Sequence, residues 1–500
     1  MLDRLKTFTC TRREALAAGG AAFASAIATT SGCFPNPSRQ SEENALPNIV
    51  VFLSDALRAN HLGTYGYSFP TSPCIDAMAR TGIVFERCYS QAPWTKPSIA
   101  SLFTGYLPCV HQAVLTSWDT RNLSHWDSNN PLGYKIQSLR ENFPTLSEIL
   151  KNQGYSTALF QTCPHCQREF GFGRGFQHYR YVPAEPPENQ VNAVIEWLHA
   201  TSHHPFFAFI HAIDPHGPYI PKESFYYDLF RESPEESQKK LNPRDMDIIQ
   251  SFRMHYEAHA SDFKKKIMND LSPAGIDYLI KLYDAEIRGV DYHFRRLLDT
   301  LALLGIENNT IVVFMADHGE AFGEHRFFAH NNALYDEELH VPLIIRLGNK
   351  PLGVRVPWHV NLYDLFPTLI TLAGGSPPDT VQAKSLLTKE GKLNVTEHRP
   401  INAYFDKNES DMNKWQFCHI EGGYKVYDLG TGQTAEIYDR TNDPKEKVNL
   451  IDEIPMASEL LASTATFREK HRQLSRTFGE PQYIGTDQGT VEELRSLGYL

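Results

Sequence analysis

The chain has 500 residues and a formal net charge of -11, from 48 basic and 59 acidic residues. This length suits one large α/β domain or two to three average domains. A nucleic-acid-binding protein carries a basic stripe or patch. Lysine-rich tracts here are as short as residues 264–266, so we expect no nucleic-acid partner.

The first 33 residues have the composition of an export signal, and we exclude them from the predicted fold. The stretch T-R-R-E-A-L at residues 11–16 resembles a twin-arginine signal and leads into a small, apolar run. The segment ends at T-S-G-C, which resembles a lipoprotein processing site at Cys33, although Leu is usual where Thr30 stands. We predict a linker at residues 34–46 and an exported, periplasmic or other extracytoplasmic protein that associates with a membrane only through a lipid on Cys33. An uncleaved anchor is the alternative, but the apolar run is short for a bilayer span.

Two apolar runs each lead into residue types that bind metals. N-I-V-V-F-L at residues 48–53 leads to Asp55, and T-I-V-V-F-M at residues 310–315 leads to Asp317 and His318. Such runs are typical of strands buried on both faces in a parallel sheet, and ligands collect beyond the carboxyl ends of those strands. These three residues are therefore candidate ligands of a divalent cation. The alternative is a pair of aspartates that cap helices.

Between and after these runs, helical and strand patterns alternate. We predict helices at residues 75–81, from 98 to about 105, 145–152, 187–200 and 283–301, and strands at 83–85, 156–161 and 206–211. We interpret the charged, irregular stretch at about residues 221–274 as an insertion that contains short helical segments. The alternation predicts an α/β fold with a large, mostly parallel sheet flanked by helices over residues 47–376.

The last part of the chain has a different pattern. Short strand signals at residues 401–404, 419–420 and 424–427 predict a smaller antiparallel α+β subdomain over residues 377–500, with a peripheral helix beyond residue 464.

Eight cysteines are present, and six remain when Cys10 and Cys33 of the signal segment are set aside. An exported protein could pair some of them. Cys163 and Cys166 have the C-x-x-C spacing of a redox motif or half a zinc site. The chain has no second C-x-x-C, so a local disulfide or two buried thiols fits this motif better.

Five further motifs occur in an order that makes them informative together. They are D-A-L-R at residues 55–58, T-K-P-S at 95–98, D-P-H at 214–216, D-H-G-E at 317–320 and L-Y-D-E at 334–337. This series resembles the arylsulfatase-like sulfatase family of the alkaline phosphatase superfamily, over nearly all of the chain after the linker. The resemblance implies that family's α/β fold and one divalent metal ion, Ca²⁺ in the first place and Mn²⁺, Mg²⁺ or Zn²⁺ as alternatives.

The resemblance also implies roles for single residues. Asp55, Asp317, His318 and the hydroxyl of Thr95 would hold the metal, and Thr95 stands where the family has its nucleophile. The alternative for Thr95 is a helix N-cap.

Histidines supply the remaining candidates. His216 and His330 would contact the leaving oxygen or a non-bridging oxygen, as general acid or electrostatic clamp; otherwise they are incidental histidines on exposed loops. We expect His211 to be a buried structural histidine, we assign no role to His111 or His325, and we expect Lys96 to be an exposed loop lysine rather than an anion ligand.

Four departures from the family pattern bear on the chemistry. Sulfatases oxidise a Cys or Ser of C/S-x-P-x-R to formylglycine, but this chain has Thr95, so we expect no formylglycine. The Arg of that motif is Ile99, the second Asp of the usual Asp-Asp pair is Ala56, and residues 160–164 (F-Q-T-C-P) replace the Lys and His that grip sulfate. A metal-bound threonine is the nucleophile in related phosphodiesterases, phosphonate-ester hydrolases and phosphoethanolamine transferases.

The sequence thus predicts an exported, metal-dependent hydrolase of sulfuric or phosphoric esters, with phosphoryl chemistry favoured. The expected substrate is a small-molecule ester or an ester of a glycan or lipid head group. Two alternatives are a phosphoethanolamine-type head-group transferase and a catalytically inactive relative that binds an anion.

Overall fold

The structure, a computed structural model, describes residues 46–114, 116–118, 134–254, 267, 269–348, 350–407, 411–430, 434–485 and 489. The predicted export signal, Cys33 and residues 34–45 of the predicted linker lie outside the described residues. Within the described residues, no helix combines the length and the apolar character needed to cross a bilayer.

Strands and helices alternate along the described residues, as the sequence predicted. In chain order, the strands are β1 Asn48–Ser54, β2 Ile83–Tyr89, β3 Thr116–Trp118, β4 Tyr134–Gln137, β5 Ser156–Gln161, β6 His178–Tyr181, β7 Phe206–Ala212, β8 Thr310–Ala316, β9 Ala321–Phe322, β10 Phe328–Ala329, β11 His340–Val341, β12 Leu343–Leu347, β13 Val354–Asn361, β14 Ile401–Phe405, β15 Gln416–Glu421, β16 Tyr424–Asp428, β17 Glu436–Asp439 and β18 Tyr483–Gly485. The helices are α1 Pro73–Ala79, α2 Thr95–Thr104, α3 Pro108–His111, α4 Leu146–Asn152, α5 Pro187–Thr201, α6 Glu223–Phe230, α7 Pro234–Gln238, α8 Pro243–Met254, α9 Pro273–Leu303, α10 Asp336–Leu339, α11 Leu365–Leu372 and α12 Ala457–Thr477.

The central sheet has the strand order β11-β2-β12-β8-β1-β7-β5-β6, and β13 pairs with β2. The pairs β1–β7, β1–β8, β5–β7, β5–β6 and β2–β13 are parallel. Strands β11 and β12 run antiparallel to their neighbours. The predicted large, mostly parallel sheet is therefore confirmed, with β1 and β8 side by side at its centre.

Helices cover both faces of this sheet, which explains why β1, β7 and β8 are buried along their whole length. Trp197 of α5 lies against Phe206 of β7, with 5.5 Å between ring centroids. Phe103 of α2 lies 4.9 Å from Phe209 of the same strand. Phe206 and Phe209 point to opposite faces because side chains alternate along a strand. Helices α2 and α5 therefore lie on opposite sides.

The segment predicted as an insertion with helical pieces contains α6, α7 and α8. Helix α6 packs on the long helix α9, where Phe225 contacts Tyr292 with 5.6 Å between ring centroids. Helix α9 buries Phe294 against Phe52 of β1, so the predicted core-facing helix is confirmed.

The C-terminal region forms the antiparallel sheet β14-β15-β16-β17, which confirms the predicted smaller subdomain. Its helix α12 begins at Ala457, earlier than the predicted residue 464. The predicted peripheral tail also contributes β18, which pairs antiparallel with β4. The chain after α12 thus returns to the first half of the sequence, which the sequence analysis did not anticipate.

Helix α2 ends at Gly105, whose φ of +75° lies in the left-handed region. A Cβ atom on Gly105 would lie 2.7 Å from Cδ1 of Phe366 in α11. Gly154, which follows α4, has φ of +92° but open space where its Cβ would be.

We expect Gly105→Ala to destabilise the protein more than Gly154→Ala does. Left-handed strain lowers the free energy of unfolding by about 1–2 kcal/mol in both variants. Overpacking against Phe366 adds about 1–3 kcal/mol in Gly105→Ala only. Urea unfolding followed by circular dichroism measures the difference, and equal midpoints for the two variants would contradict the packing argument.

Candidate metal and nucleophile site

Three adjacent parallel strands, β7, β1 and β8, end at the same edge of the central sheet. Ser54, the last residue of β1, is in register with Ala212 of β7 and with Ala316 of β8. The backbone N–H of Asp55 donates to the carbonyl of Ala212 at 2.9 Å. Asp55 and Asp317 therefore come together as the next residue after each strand, although about half of the chain separates them in the sequence.

Asp55, Asp317 and His318 form a buried cluster. Nε2 of His318 lies 3.3 Å from Oδ1 of Asp55 and 3.6 Å from Oδ2 of Asp317. One ligand atom from each of the three residues falls within 4.8 Å of the other two. The predicted cation ligands thus meet in the structure.

Several features of this cluster fit a bound cation. Oδ1 of Asp55 and Oδ2 of Asp317 are buried and have no hydrogen-bond partner among the described residues. A buried carboxylate is strongly unfavourable unless a positive charge or donors compensate it. The N–H at Nδ1 of His318 donates to the carbonyl of Gly319 at 2.9 Å, which in the neutral ring leaves the lone pair on Nε2, the atom that faces the carboxylates. Carboxylate oxygens with one imidazole nitrogen suit Ca²⁺, Mn²⁺, Mg²⁺ or Zn²⁺.

Without a cation, protons balance the charges of the cluster. Burial lowers the pKa of His318, but Asp317 and Asp55 outweigh it and raise this pKa to about 10. Burial and the neighbouring Asp55 raise the pKa of Asp317 to about 6. Burial would also raise the pKa of Asp55, but His216, His211 and His318 hold it well below its usual value. The imidazolium of His318 therefore occupies the charge-balancing role in the cation-free protein.

Thr95 places its hydroxyl on this cluster. Its Oγ1 lies 3.2 Å from Nε2 of His318 and 3.5 Å from Oδ2 of Asp55. Thr95 is the first residue of α2 and Trp94 is the N-cap, so the structure does not support the alternative in which Thr95 caps the helix. The hydroxyl of Ser98 donates to the carbonyl of Asp317 at 2.7 Å and so ties the first turn of α2 to the end of β8.

The turn after β1 has a strained backbone. Ala56, at the position of the family's second Asp, has φ of +57°, a conformation that non-glycine residues rarely adopt. Its N–H donates to Oδ1 of Asp317 at 3.3 Å, and its carbonyl accepts from the hydroxyl of Tyr283 at 2.7 Å. These bonds hold the strained turn, which positions Asp55 against β8.

His216 and His330 also lie at the site, and both are buried rather than on exposed loops. The ring of His330 lies 4.4 Å from that of His318 and 4.7 Å from that of His216. Nδ1 of His330 donates to Glu320 at 2.8 Å, and Nδ1 of His216 donates to the carbonyl of Gly217 at 2.7 Å. Tyr219 donates to the other oxygen of Glu320 at 2.8 Å.

His211 is buried, as predicted, but it also touches the cluster. It lies on β7, and its Nε2 is 3.1 Å from Oδ2 of Asp55. Thr162 lies 3.0 Å from its Nδ1 and fixes the ring. The sequence analysis missed this contact; the signal was that His211 occupies, in β7, the position in register with Leu53, close to Asp55.

The prediction for Lys96 was wrong. This residue is fully buried in α2, where burial lowers the pKa of its ammonium to about 7, and its Nζ lies 5.8 Å from the ring of Phe170. The prediction failed because α2 begins three residues earlier than predicted. Lys96 therefore lies in this helix, all of whose residues are buried.

His111 and His325, to which the sequence analysis assigned no role, have structural partners. His111 bonds to Ser101 at 3.0 Å, and His325 bonds to Glu337 at 2.7 Å. Cys163 and Cys166 are buried free thiols, which agrees with one of the two interpretations of their motif.

The sequence model of the sulfatase family matches residues 47–376. The chain belongs to the sulfatase family. A second model, described as the C-terminal region of N-sulphoglucosamine sulphohydrolase, matches residues 323–473. Family membership makes this protein a sulfatase-like ester hydrolase and agrees with the alkaline-phosphatase-like fold.

Similar proteins support the same assignment for this sulfatase-family protein. It is 25% identical over 463 residues to the uncharacterized sulfatase YidJ of Escherichia coli K12, covering 82% of this chain and 84% of that protein. It is 26% identical over 462 residues to the delta 4,5-hexuronate-2-O-sulfatase of Bacteroides thetaiotaomicron, covering 83% and 86%. The crystal structure of the phosphonate monoester hydrolase of Agrobacterium radiobacter has a TM-score of 0.65 at 17% identity, covering 88% of this chain and all of that chain. The last likeness establishes the fold.

Proposed function

We propose that this sulfatase-family protein is an exported, metal-dependent hydrolase that uses Thr95 as its nucleophile and acts on phosphoryl esters in preference to sulfate esters. The observation that carries the proposal is the position of Oγ1 of Thr95, within 3.5 Å of both Oδ2 of Asp55 and Nε2 of His318. Asp55, Asp317, His318 and the Thr95 hydroxyl would hold one divalent ion, Ca²⁺ in the first place. When bound, the ion would neutralise anionic ester oxygens and favour ionisation of a nearby hydroxyl.

Thr95 performs the bond-forming step in this proposal. Its Oγ1 releases its proton to solvent water and forms a bond to phosphorus, and the bond from phosphorus to the leaving oxygen breaks. Thr95 is the first residue of α2, and a helix N-terminus has unpaired N–H groups that suit an anionic oxygen. Water then attacks the phosphothreonine and regenerates the hydroxyl.

His216 and His330 handle the proton on the leaving oxygen. Nδ1 of His216 bonds to a backbone carbonyl and Nδ1 of His330 bonds to Glu320, and we assign the proton exchange with substrate to Nε2 of each ring. Glu320 also fixes the orientation of His330, since Tyr219 anchors the same carboxylate. This arrangement supports a general acid on His330 with His216 beside it.

The departures from the sulfatase motif favour phosphoryl chemistry. The side chain of Thr95 cannot become the aldehyde that formylglycine chemistry requires. A phosphothreonine needs no such aldehyde, because water can resolve it by attack at phosphorus. We infer a small-molecule, glycan or lipid head-group ester as substrate. The name of the hexuronate sulfatase relative supports a sugar among these.

A substrate panel tests this function. Purified protein with Ca²⁺, Mn²⁺ or Zn²⁺ is assayed on an aryl phosphodiester, an aryl phosphonate, an aryl phosphate and an aryl sulfate. We expect turnover of at least one phosphoryl ester above aryl sulfate, and rapid quenching should show phosphate on the peptide that contains Thr95. Turnover of aryl sulfate alone would contradict the proposed chemistry. No turnover with any ion would favour an anion-binding relative.

We expect metal affinity to rise with pH. The cation needs neutral Nε2 of His318, whose pKa of about 10 means that a proton must leave when the metal binds at neutral pH. Between pH 6 and 10 the dissociation constant should fall about tenfold per pH unit. Below the Asp317 pKa of about 6 a second proton steepens the dependence. Calorimetric titration in buffers of different ionisation enthalpy counts the released protons, and pH-independent affinity would contradict this charge balance.

A further inference from the structure

Trp94, directly before Thr95, has a buried indole N–H with no hydrogen-bond partner among the described residues. Only 5% of Trp94 is exposed. Native proteins leave few buried donors unpaired, because each is strongly unfavourable, and the exceptions call for an explanation such as an absent ligand.

The surroundings of Trp94 place it at the proposed active site. The carbonyl of Pro93 accepts a hydrogen bond at 3.0 Å from the N–H of Asn331, the residue after His330. The Trp94 ring meets the ring of His165 in a T-shaped contact at 5.6 Å. Trp94 is also the N-cap of α2, and its side chain makes no capping hydrogen bond to the helix. The Trp94 side chain therefore packs in a hydrophobic cluster with Ala333 and Leu334, just after His330, and its backbone leads directly into Thr95.

We propose that the indole N–H of Trp94 donates a hydrogen bond to a non-bridging oxygen of the bound ester, which makes Trp94 a specificity-determining residue. This inference rests on the proposed function. Indole nitrogen is a donor and never an acceptor, so the group suits an oxyanion and not an ammonium. Ile99 removes the guanidinium that the family places on this helix, and Trp94 supplies a neutral, directional donor at the start of the same helix.

A buried donor without a hydrogen-bond partner does not by itself define a binding site, because a second such donor lies elsewhere in the fold. The Tyr155 hydroxyl is also buried without a hydrogen-bond partner among the described residues. Tyr155 precedes β5, which runs parallel to β7, so it lies at the opposite edge of the sheet from Asp55. Tyr155 therefore provides a matched control: the same loss of a buried donor, away from the site.

The kinetic test compares Trp94→Phe with Tyr155→Phe. We expect Trp94→Phe to lower kcat/KM on the best phosphoryl ester about 10- to 100-fold, the range for one hydrogen bond to a charged group. Tyr155→Phe should leave kcat/KM unchanged. Equal kcat/KM for Trp94→Phe and wild type would overturn the inference and leave the proposed function intact, because Thr95→Ala tests that function separately.

A spectroscopic test does not depend on turnover or on the folding of the variant. Wild-type protein labelled with ¹⁵N-tryptophan carries six indole groups, and triple-resonance spectra assign the Trp94 signal. Saturating inorganic phosphate, with the metal present, should move the Trp94 indole proton downfield by about 0.5 ppm or more, as expected for a stronger hydrogen bond to a charged acceptor. Chloride should have no such effect. Phosphate that inhibits the enzyme without moving this signal would overturn the inference.

Discussion

Thr95→Ala is expected to lower kcat on every active ester by about 10³-fold or more, the scale on which loss of a nucleophile reduces catalysis. The variant removes the hydroxyl within 3.5 Å of both Asp55 and His318 and leaves the other three proposed metal ligands, Asp55, Asp317 and His318, in place. Metal binding should therefore change far less than turnover. Steady-state kinetics and calorimetry on the same preparation separate the two effects.

Two further variants control for the helix and for the hydroxyl. Thr104 is another buried threonine of α2, at the other end of the helix, and its hydroxyl donates to the carbonyl of Ala100 at 2.7 Å. Thr104→Ala should change stability and leave kcat/KM within a few fold. Thr95→Ser keeps a hydroxyl and should retain measurable turnover. Wild-type activity in Thr95→Ala would show that Thr95 is not the nucleophile.

Asp317→Asn is expected to weaken metal binding by at least about 100-fold, because loss of a supporting residue alone reduces metal affinity 10- to 100-fold. Asparagine keeps the shape, and its oxygen can still accept from the backbone N–H groups of Ala56 and His318. The change therefore removes charge and a ligand oxygen but not the turn. Turnover should fall with metal occupancy, and metal analysis after dialysis measures that occupancy.

Asp291→Asn is the matched control for charge removal. Asp291 is equally buried, but it accepts hydrogen bonds from the N–H groups of Cys74 and Ile75 at the start of α1. Asparagine keeps an oxygen that can accept from these N–H groups, so Asp291→Asn should fold and should leave metal affinity unchanged. Equal metal affinity in Asp317→Asn and Asp291→Asn would exclude Asp317 as a ligand.

The central sheet was predictable because its strands are long apolar runs with helices between them. Because Asp55, Asp317 and His318 follow two of those runs, the sequence pattern alone predicted that they meet at one edge of the sheet. The start of α2 was not predictable in the same way. The predicted start at residue 98 lies just after Pro97, but a proline in the first turn lacks only an N–H that would be unpaired there in any case. The pairing of β18 with β4 joins distant segments that carry no periodic signal, so no local pattern could predict it.

The residues near the site that the sequence analysis did not recognise are identified only by their neighbours in three dimensions. His211 reads as one more residue of a buried strand until β7 is known to lie beside β1. Lys96 reads as an exposed lysine until α2 is placed against the sheet with all its residues buried. Trp94 carries no sequence signal, because an unpaired donor can be recognised only when its neighbours are known.

The meeting of Asp55 and Asp317 across the β1–β8 pair has a thermodynamic consequence for folding. An unfolded chain holds these carboxylates too far apart to chelate, so an ion that prefers the assembled edge shifts the equilibrium toward the native state by mass action. The thermal midpoint should then depend on ion concentration. Occupancy would thereby couple the integrity of the whole sheet to the supply of a single ion.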